Sequence, residues 1–241
     1  MSIVAPLKYL TISPITKHTA TVIFIHGLGD TGHGWEPVAQ MFQKEDSGLN
    51  HVKWILPHSP TRPVTANMGM EMPSWFDIKS FGFNAEEDEK GMLDSSKQIN
   101  ELISAEVDGG IDSSRIVLGG FSQGGSMSFL TGLTSERKLA GIAVLSGWLP
   151  IHKKFKSMLS RHATTTPVFC GHGSTDPLVQ LSLCTASIKC LIDECGMPKA
   201  TENSIQGIRT RIYQGMAHST CVQELKDLRL WLQSVIPKEV D

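Results

Sequence analysis

Short, unbroken apolar runs recur along this chain, and they constrain its fold more than any other feature of the sequence. Because the runs do not alternate in polarity, they are typical of strands that are buried on both faces of a sheet. The runs are Thr21–Ile25, Val52–Leu56, Arg115–Leu118, Gly141–Leu145, Pro167–Cys170 and Ile208–Tyr213. Helical patterns long enough for crossover connections lie among them, at Met92–Val107, Ser126–Leu133, Leu181–Glu194 and Val222–Val235. This order predicts an α/β fold with a mostly parallel central sheet flanked by helices on both faces.

Two other segments have a different character. Leu7–Ser13 alternates in polarity, which predicts an antiparallel strand at one edge of the sheet. Pro57–Gly82 contains four prolines and too many helix breakers for a helix, so we interpret it as one long loop. Loops of this length inside compact domains are usually functional.

Composition excludes several classes of protein. Of 241 residues, 40% are hydrophobic and 19% are charged, which predicts a packed globular chain, and we expect one domain over residues 1–241. The net charge of -2 has no basic excess, so we expect no nucleic-acid partner. No apolar stretch reaches the ~18 residues of a membrane span.

The five cysteines form no CxxC pair, and we interpret them as free thiols in a reducing compartment, which favours a cytoplasmic location.

A candidate nucleophile follows the third predicted strand. Gly120-Phe121-Ser122-Gln123-Gly124 matches G-x-S-x-G, and a helical pattern comes next. By itself the match is weak, since a glycine-rich turn can produce it. Its position between strand and helix resembles the nucleophile turn of α/β-hydrolases, in which glycines on either side let the two backbones approach closely. We therefore predict that Ser122 is a nucleophile.

Such a serine needs a base and an orienting carboxylate, which in α/β-hydrolases follow it in the order Asp or Glu, then His. His218 is the only histidine after the last predicted strand, and we predict that it is the base. Asp176 follows the preceding strand, and Pro177 disfavours helix at that position, so we predict that Asp176 orients the imidazole. The alternatives are a surface or capping role for His218 and a helix-capping role for Asp176. His172 is interpreted as structural.

The oxyanion formed during such a reaction requires two N–H donors. A glycine-rich turn, His26–Gly32, follows the first buried strand, and its donor is either Leu28, which we favour, or Gly29. The second predicted donor is the N–H of Gln123. His26, Asp30 and His33 are an alternative as metal ligands, but the glycines around them prevent the helix that such spacing requires. We expect neither a metal nor a cofactor.

Five blocks together resemble the acyl-protein thioesterase and lysophospholipase family from about residue 20 onward. They are Gly27–Gly32, Met72–Asp77, Gly119–Gly125, His172–Leu178 and Gly215–Ser219. The resemblance implies an enzyme that removes long acyl chains from protein cysteine thioesters, with related activity on lysophospholipids. It also implies that Leu28 and Gln123 are the oxyanion donors. Trp75, Met72 and Leu178 would then border the acyl chain, although core packing is an equal alternative for the methionine.

Further expectations follow from this resemblance. The partners would be S-acylated proteins and lysophospholipids, with at most peripheral membrane contact and a weak homodimer. The stretch Cys195–Gln206 looks longer than the family's usual pattern. Three alternatives remain: an esterase for short soluble esters, a non-catalytic binding protein on the same scaffold, and a nucleophilic Cys170 or Cys221.

Overall fold

The computed structural model describes residues 6–80, 82, 84–202 and 204–239. The strands in this part of the chain are β1 Tyr9–Ile12, β2 Ala20–Ile25, β3 Val52–Pro57, β4 Thr61–Val64, β5 Met70–Pro73, β6 Ile116–Phe121, β7 Gly141–Leu145, β8 Val168–Gly173 and β9 Ile208–Tyr213. The α-helices are α1 Glu36–Phe42, α2 Glu89–Asp108, α3 Gln123–Thr134, α4 His152–Met158, α5 Leu181–Lys189 and α6 Val222–Val235. A π-helical turn, Cys190–Glu194, continues α5.

Seven of these strands form one twisted layer in the order β1-β3-β2-β6-β7-β8-β9. Strands β2, β3, β6, β7, β8 and β9 run parallel to one another, whereas β1 pairs antiparallel with β3. Each of the six apolar runs is a strand, and the antiparallel edge strand is where the sequence predicts it. The expected α/β-hydrolase fold is therefore confirmed. Because the parallel strands all end at the same edge, the loops that follow β2, β6, β8 and β9 meet there.

Helices cover both faces of the sheet, which explains why its strands lack polar alternation. On one face α2, α3 and α5 pack over a core that includes Ile23, Leu118 and Phe129. On the other face α1 and α6 pack over a second core that includes Phe24 and Trp231. The four predicted helices are present, and α1 and α4 are two short additional ones.

The interpretation of Pro57–Gly82 as one long loop is wrong, because the segment contains the hairpin β4–β5. The strands pair antiparallel, with Pro63 opposite Glu71 and Pro73 opposite Thr61. A two-stranded hairpin needs an N–H only at alternate positions, so it tolerates prolines that a central strand would not. Met68 and Gly69 close it in the left-handed region, with φ of 57° and 74°.

The stretch Cys195–Gln206 runs beside the free edge of β9, although residue 203 lies outside the described residues. Ile208 donates its N–H to the carbonyl of Pro198 and accepts from the N–H of Ala200. The stretch therefore covers the start of this edge strand.

Close packing of α3 against β2 brings the candidate nucleophile over the sheet. A Cβ at Gly124 would overlap the carbonyl oxygen of Ile25 and approach that of His26 to 2.6 Å. Both obstacles are backbone atoms and cannot turn away. Glycine at this position thus determines how closely the first turn of α3 approaches the end of β2.

We predict that Gly124→Ala lowers the free energy of unfolding by about 3 kcal/mol, because the added methyl must push backbone apart. Gly132→Ala in the same helix is the control: its Cβ would lie 2.6 Å from both Cδ1 and Cγ1 of Ile142, which are side-chain atoms rather than backbone. We expect a cost of about 1 kcal/mol or less there. Urea unfolding measures both, and equal losses would contradict this account of the packing.

Candidate active site

Ser122 lies at a sharp turn between the last residue of β6 and the first residue of α3. Its φ of 55° and ψ of -119° are unusual for a residue with a side chain. The N–H of Ser122 donates to the carbonyl of Leu145 at the end of β7, at 2.8 Å. The neighbouring strand therefore holds this turn in place, and the strained backbone directs the serine side chain away from the sheet.

The three predicted partners form one hydrogen-bonded relay. Ser122 Oγ lies 2.8 Å from His218 Nε2, and His218 Nδ1 lies 2.7 Å from Asp176 Oδ2. The aspartate side chain is fully buried, whereas the imidazole is 13% exposed. The ring of Phe121 packs beside the imidazole with centroids 4.8 Å apart. Three distant parts of the chain thus meet in the geometry that a general base requires.

Asp176 is fixed by its own loop. Its Oδ1 accepts hydrogen bonds from the N–H groups of Leu178 and Val179, both at 2.9 Å, which leaves Oδ2 for the histidine. His172 is fully buried and donates from Nε2 to the carbonyl of Val179 at 2.7 Å. His172 therefore supports the aspartate loop from beneath, in agreement with its interpretation as structural.

Two backbone N–H groups near the serine remain without an acceptor. Among the described residues, neither Leu28 nor Gln123 donates its N–H to a protein group. By contrast, Gly29 donates its N–H to the carbonyl of Pro73 at 2.9 Å. Of the two residues that the sequence offers as the first donor, only Leu28 thus has a free N–H among the described residues.

A cavity of about 190 Å³ opens beside the relay, and its wall is mostly apolar. It is lined by Gly27, Leu28, Asp30, Ile78, Phe121, Ser122, Trp148, Leu178, Val179 and His218. Leu178 is one of these lining residues and is more than half exposed. Sequence reasoning missed Ile78 and Trp148. The position of Trp148 just after β7 is the signal that could have found it, since parallel strands end at this edge.

Trp75 and Met72 do not line this cavity. Trp75 is fully buried, and its indole N–H donates to the carbonyl of His26 at 3.0 Å. Met72 packs on the core, and its sulfur accepts a hydrogen bond from Asn67. Their expected role beside an acyl chain stays a prediction that the cavity at Ser122 does not support.

His26, one of the alternative metal ligands, is hydrogen-bonded to the protein through both ring nitrogens. His26 Nε2 accepts from the N–H of Ser59, and its Nδ1 donates to the carbonyl of Gly27 at 2.7 Å. Burial lowers the pKa of His26 below its usual value, which favours this neutral form. Across the described ranges, no three His, Cys, Asp or Glu side chains lie together as metal ligands would.

The two cysteines considered as nucleophiles also lie elsewhere. Cys170 is fully buried in β8, and a contact with Cys184 together with burial raises its pKa well above the usual range. Cys221 accepts from the N–H of Glu224 and caps α6. Neither lines the cavity at Ser122.

Comparison with known proteins agrees with this geometry. Residues 8–236 match the sequence profile described as phospholipase/carboxylesterase. The chain belongs to this family. It is 52% identical to acyl-protein thioesterase 1 of Cryptococcus neoformans var. neoformans serotype D, over 95% of this chain and 98% of that one.

Solved structures support the same fold. The crystal structure of Zea mays acyl-protein thioesterase 2 superposes with a TM-score of 0.80 at 26% identity, covering 95% of this chain and 99% of the other. Arabidopsis thaliana SOBER1 gives 0.82 at 29% identity, covering 90% and 99%. The chain is thus a serine hydrolase of the α/β-hydrolase type, as the sequence predicts. None of the helices described for it is long and apolar enough to cross a bilayer.

One buried acid lies beneath the site. Glu224, in the first turn of α6, is fully buried next to Gly171 of β8, and neither of its carboxyl oxygens has a hydrogen-bond partner among the described residues. Burial raises its pKa to about 8, opposed by the nearby His172 and assisted by Asp227. The folded protein therefore retains a proton on Glu224 over a pH range in which the unfolded chain releases it.

This proton predicts a stability that falls as pH rises. Between the ordinary pKa of glutamate, ~4.3, and about 8, each pH unit should remove up to ~1.4 kcal/mol from the free energy of unfolding. Glu224→Gln, which cannot ionise, should remove this slope and be the more stable protein above about pH 7. Glu101→Gln at an exposed position is the control. Urea unfolding across this pH range tests the prediction. If the free energy of unfolding varies with pH in the same way for the wild type and Glu224→Gln, Glu224 is not neutral in the folded protein.

Proposed function

We propose that this chain hydrolyses long-chain acyl thioesters on protein cysteines, with Ser122 as its nucleophile. The observation that carries the proposal is the relay from Ser122 through His218 to Asp176 at the wall of an apolar cavity. Relatives of the same length are named acyl-protein thioesterases, which supports the choice of substrate. We propose further that one domain, residues 1–241, carries the activity without a cofactor or metal.

In the first half of the reaction, Ser122 Oγ attacks the thioester carbonyl carbon while His218 Nε2 takes the hydroxyl proton. Asp176 stabilises the imidazolium that forms and keeps Nδ1 protonated. The free N–H groups of Leu28 and Gln123 donate hydrogen bonds to the carbonyl oxygen and stabilise the negative charge that develops on it. Collapse of the tetrahedral intermediate breaks the C–S bond, and the imidazolium returns its proton to the cysteine sulfur. An acyl ester on Ser122 remains.

In the second half, water attacks the acyl ester. His218 takes a proton from the water and then donates it to Ser122 Oγ as the C–O bond breaks, which releases the fatty acid. The 13% exposure of the imidazole is consistent with entry of water at this point.

The apolar wall of the cavity suits an acyl group. Ile78 and Trp148 line both the cavity at Ser122 and a narrow second space of about 20 Å³, which is also bounded by Phe76, Met92 and Leu183 and by the charged Lys79, Glu86 and Glu87. We propose that an acyl chain of more than a few carbons enters between Ile78 and Trp148, and that this space widens when the chain binds. Leu178 would contact the chain or the protein substrate at the rim.

The cellular setting is also part of the proposal. The five cysteines are free thiols and four are buried, which suits a reducing compartment such as the cytoplasm. Lysophospholipids, which carry a similar acyl chain, are proposed as further substrates, reached by transient membrane contact. The edge strand β9 offers the N–H and C=O groups of its exposed residues Thr210 and Ile212 for a weak homodimer.

We predict that Ser122→Ala lowers kcat for a palmitoyl-peptide thioester by about 10⁵-fold or more, because no other group forms the acyl-enzyme. Its unfolding midpoint should stay close to that of the wild type. Ser128→Ala is the matched control, since it removes a buried hydroxyl in the following helix, nearly two turns beyond Ser122, that donates to the carbonyl of Gly124. Turnover by Ser122→Ala near the wild-type rate would remove Ser122 from the mechanism.

Failure of a fluorophosphonate to label Ser122 in the wild type would favour a binding protein.

Chain-length preference separates a thioesterase from an esterase for short soluble esters. We predict that Ile78→Phe, which narrows the passage beside Trp148, lowers kcat/KM for palmitoyl thioesters by about 10-fold or more. Activity on butyryl thioesters should change by less than about threefold, since so short a chain ends before the passage. The ratio of the two activities within one variant controls for any loss of folded protein. A wild type that prefers butyryl groups, or equal losses for both chains, would favour the short-ester alternative.

A further inference from the structure

The two free N–H donors belong to parts of the chain that are far apart in sequence. Leu28 lies in the turn after β2, whereas Gln123 begins α3. Two donors stabilise one oxyanion only if their separation and direction are fixed before the reaction. The contacts that fix them therefore decide how well the site performs.

Residues 73–76, which we name the 73–76 clamp, hold the first donor. The carbonyl of Pro73 accepts from the N–H of Gly29 at 2.9 Å, and the indole N–H of Trp75 donates to the carbonyl of His26 at 3.0 Å. These bonds grip the chain on both sides of Leu28. They also occupy the N–H of Gly29, which leaves that of Leu28 as the free donor of the turn.

The same clamp holds the second donor through the side chain of Gln123. Its Oε1 accepts from the N–H of Trp75 at 2.9 Å. Its Nε2 donates to Ser74 Oγ at 3.0 Å and to the carbonyl of Phe76 at 2.8 Å. The clamp residues Ser74, Trp75 and Phe76 and Gln123 itself are at most 1% exposed, so no water competes for these bonds. Because three hydrogen bonds hold the side chain of Gln123, the backbone N–H of the same residue has little freedom to change its position or direction.

We propose that the 73–76 clamp positions the two oxyanion donors relative to each other, with Trp75 and the carboxamide of Gln123 as positioning residues. This inference rests on the proposed role of the Leu28 and Gln123 N–H groups. It gives Trp75 a function other than contact with the acyl chain: the indole joins the His26 turn to the clamp, and its backbone N–H joins the clamp to α3. Trp75 is the only described residue that bonds to both sides.

The test uses two variants with matched controls. Gln123→Met keeps a side chain of similar length but removes the three hydrogen bonds, and Trp75→Phe removes the bond to His26. Gln43→Met is the control for the first, because Gln43 is also buried and bridges the backbone carbonyls of Ile12, Ser13 and Val52 far from the site. Trp54→Phe is the control for the second, because Trp54 is fully buried and its indole N–H has no partner among the described residues.

We expect Gln123→Met and Trp75→Phe to lower kcat by about 10- to 100-fold while KM changes by less than about twofold, because only the transition state needs both donors. Affinity for an alkyl boronic acid, whose adduct with Ser122 places an oxygen at the same donors, should fall by a similar factor. The controls should lower the unfolding midpoint and leave kcat unchanged. If kcat in the two variants matches the controls, or if the loss lies in KM alone, the clamp has no positioning role.

Ser74→Ala decides the question by the same criteria if either variant does not fold, since it removes only a hydroxyl, which accepts from Gln123 Nε2 and donates to the carbonyl of Phe76 within the clamp. All rates are measured on a palmitoyl-peptide thioester and on p-nitrophenyl butyrate. A wild type that cleaves only the butyrate would overturn the proposed substrate, and the clamp would still be tested on that ester. A clamp without effect on either substrate would overturn this inference and leave the proposed function intact.

Discussion

The backbone of Ser122 is held in a conformation that residues with side chains rarely adopt, and the rest of the site depends on that restraint. Its positive φ is maintained by the bond from its N–H to Leu145 and by the close contact of Gly124 with the end of β2. Relaxation of this turn would move the hydroxyl away from His218 and would shift the N–H of Gln123 with it. A strained turn of this kind persists only where the surrounding fold determines it from several sides.

Support for the strained turn comes from segments of very different character. The parallel sheet supplies a rigid floor, and the loops after β8 and β9 supply the aspartate and the histidine. The β4–β5 hairpin, which is proline-rich and outside the main sheet, leads into residues 73–76, which bond to the turn after β2 and to the side chain of Gln123. The proposed positioning of the two donors thus depends on a segment that adds no strand to the central sheet.

Much of this arrangement could be predicted from the sequence. The apolar runs identified the strands because burial on both faces removes polar alternation, and the chain order of serine, aspartate and histidine identified the relay. The start of α2 at Glu89, earlier than the apolar pattern indicates, depends on Asp88, whose side chain caps Gly91. The hairpin was missed because prolines argue against strands in a sheet and say little about an isolated pair. The choice of Leu28 over Gly29 and the burial of Trp75 depend on Pro73 and His26, which are partners that only the folded chain brings near.

The proposed mechanism passes through an acyl ester on Ser122, and trapping that ester tests it most directly. The wild-type protein would be mixed with excess palmitoyl-peptide thioester, quenched with acid within the first turnovers, and mapped by peptide mass spectrometry. We expect the palmitoyl group on the peptide that contains Ser122, bound at the serine oxygen. A palmitoyl group on a cysteine such as Cys221, or product formed with no acylated peptide at any quench time, would contradict the account.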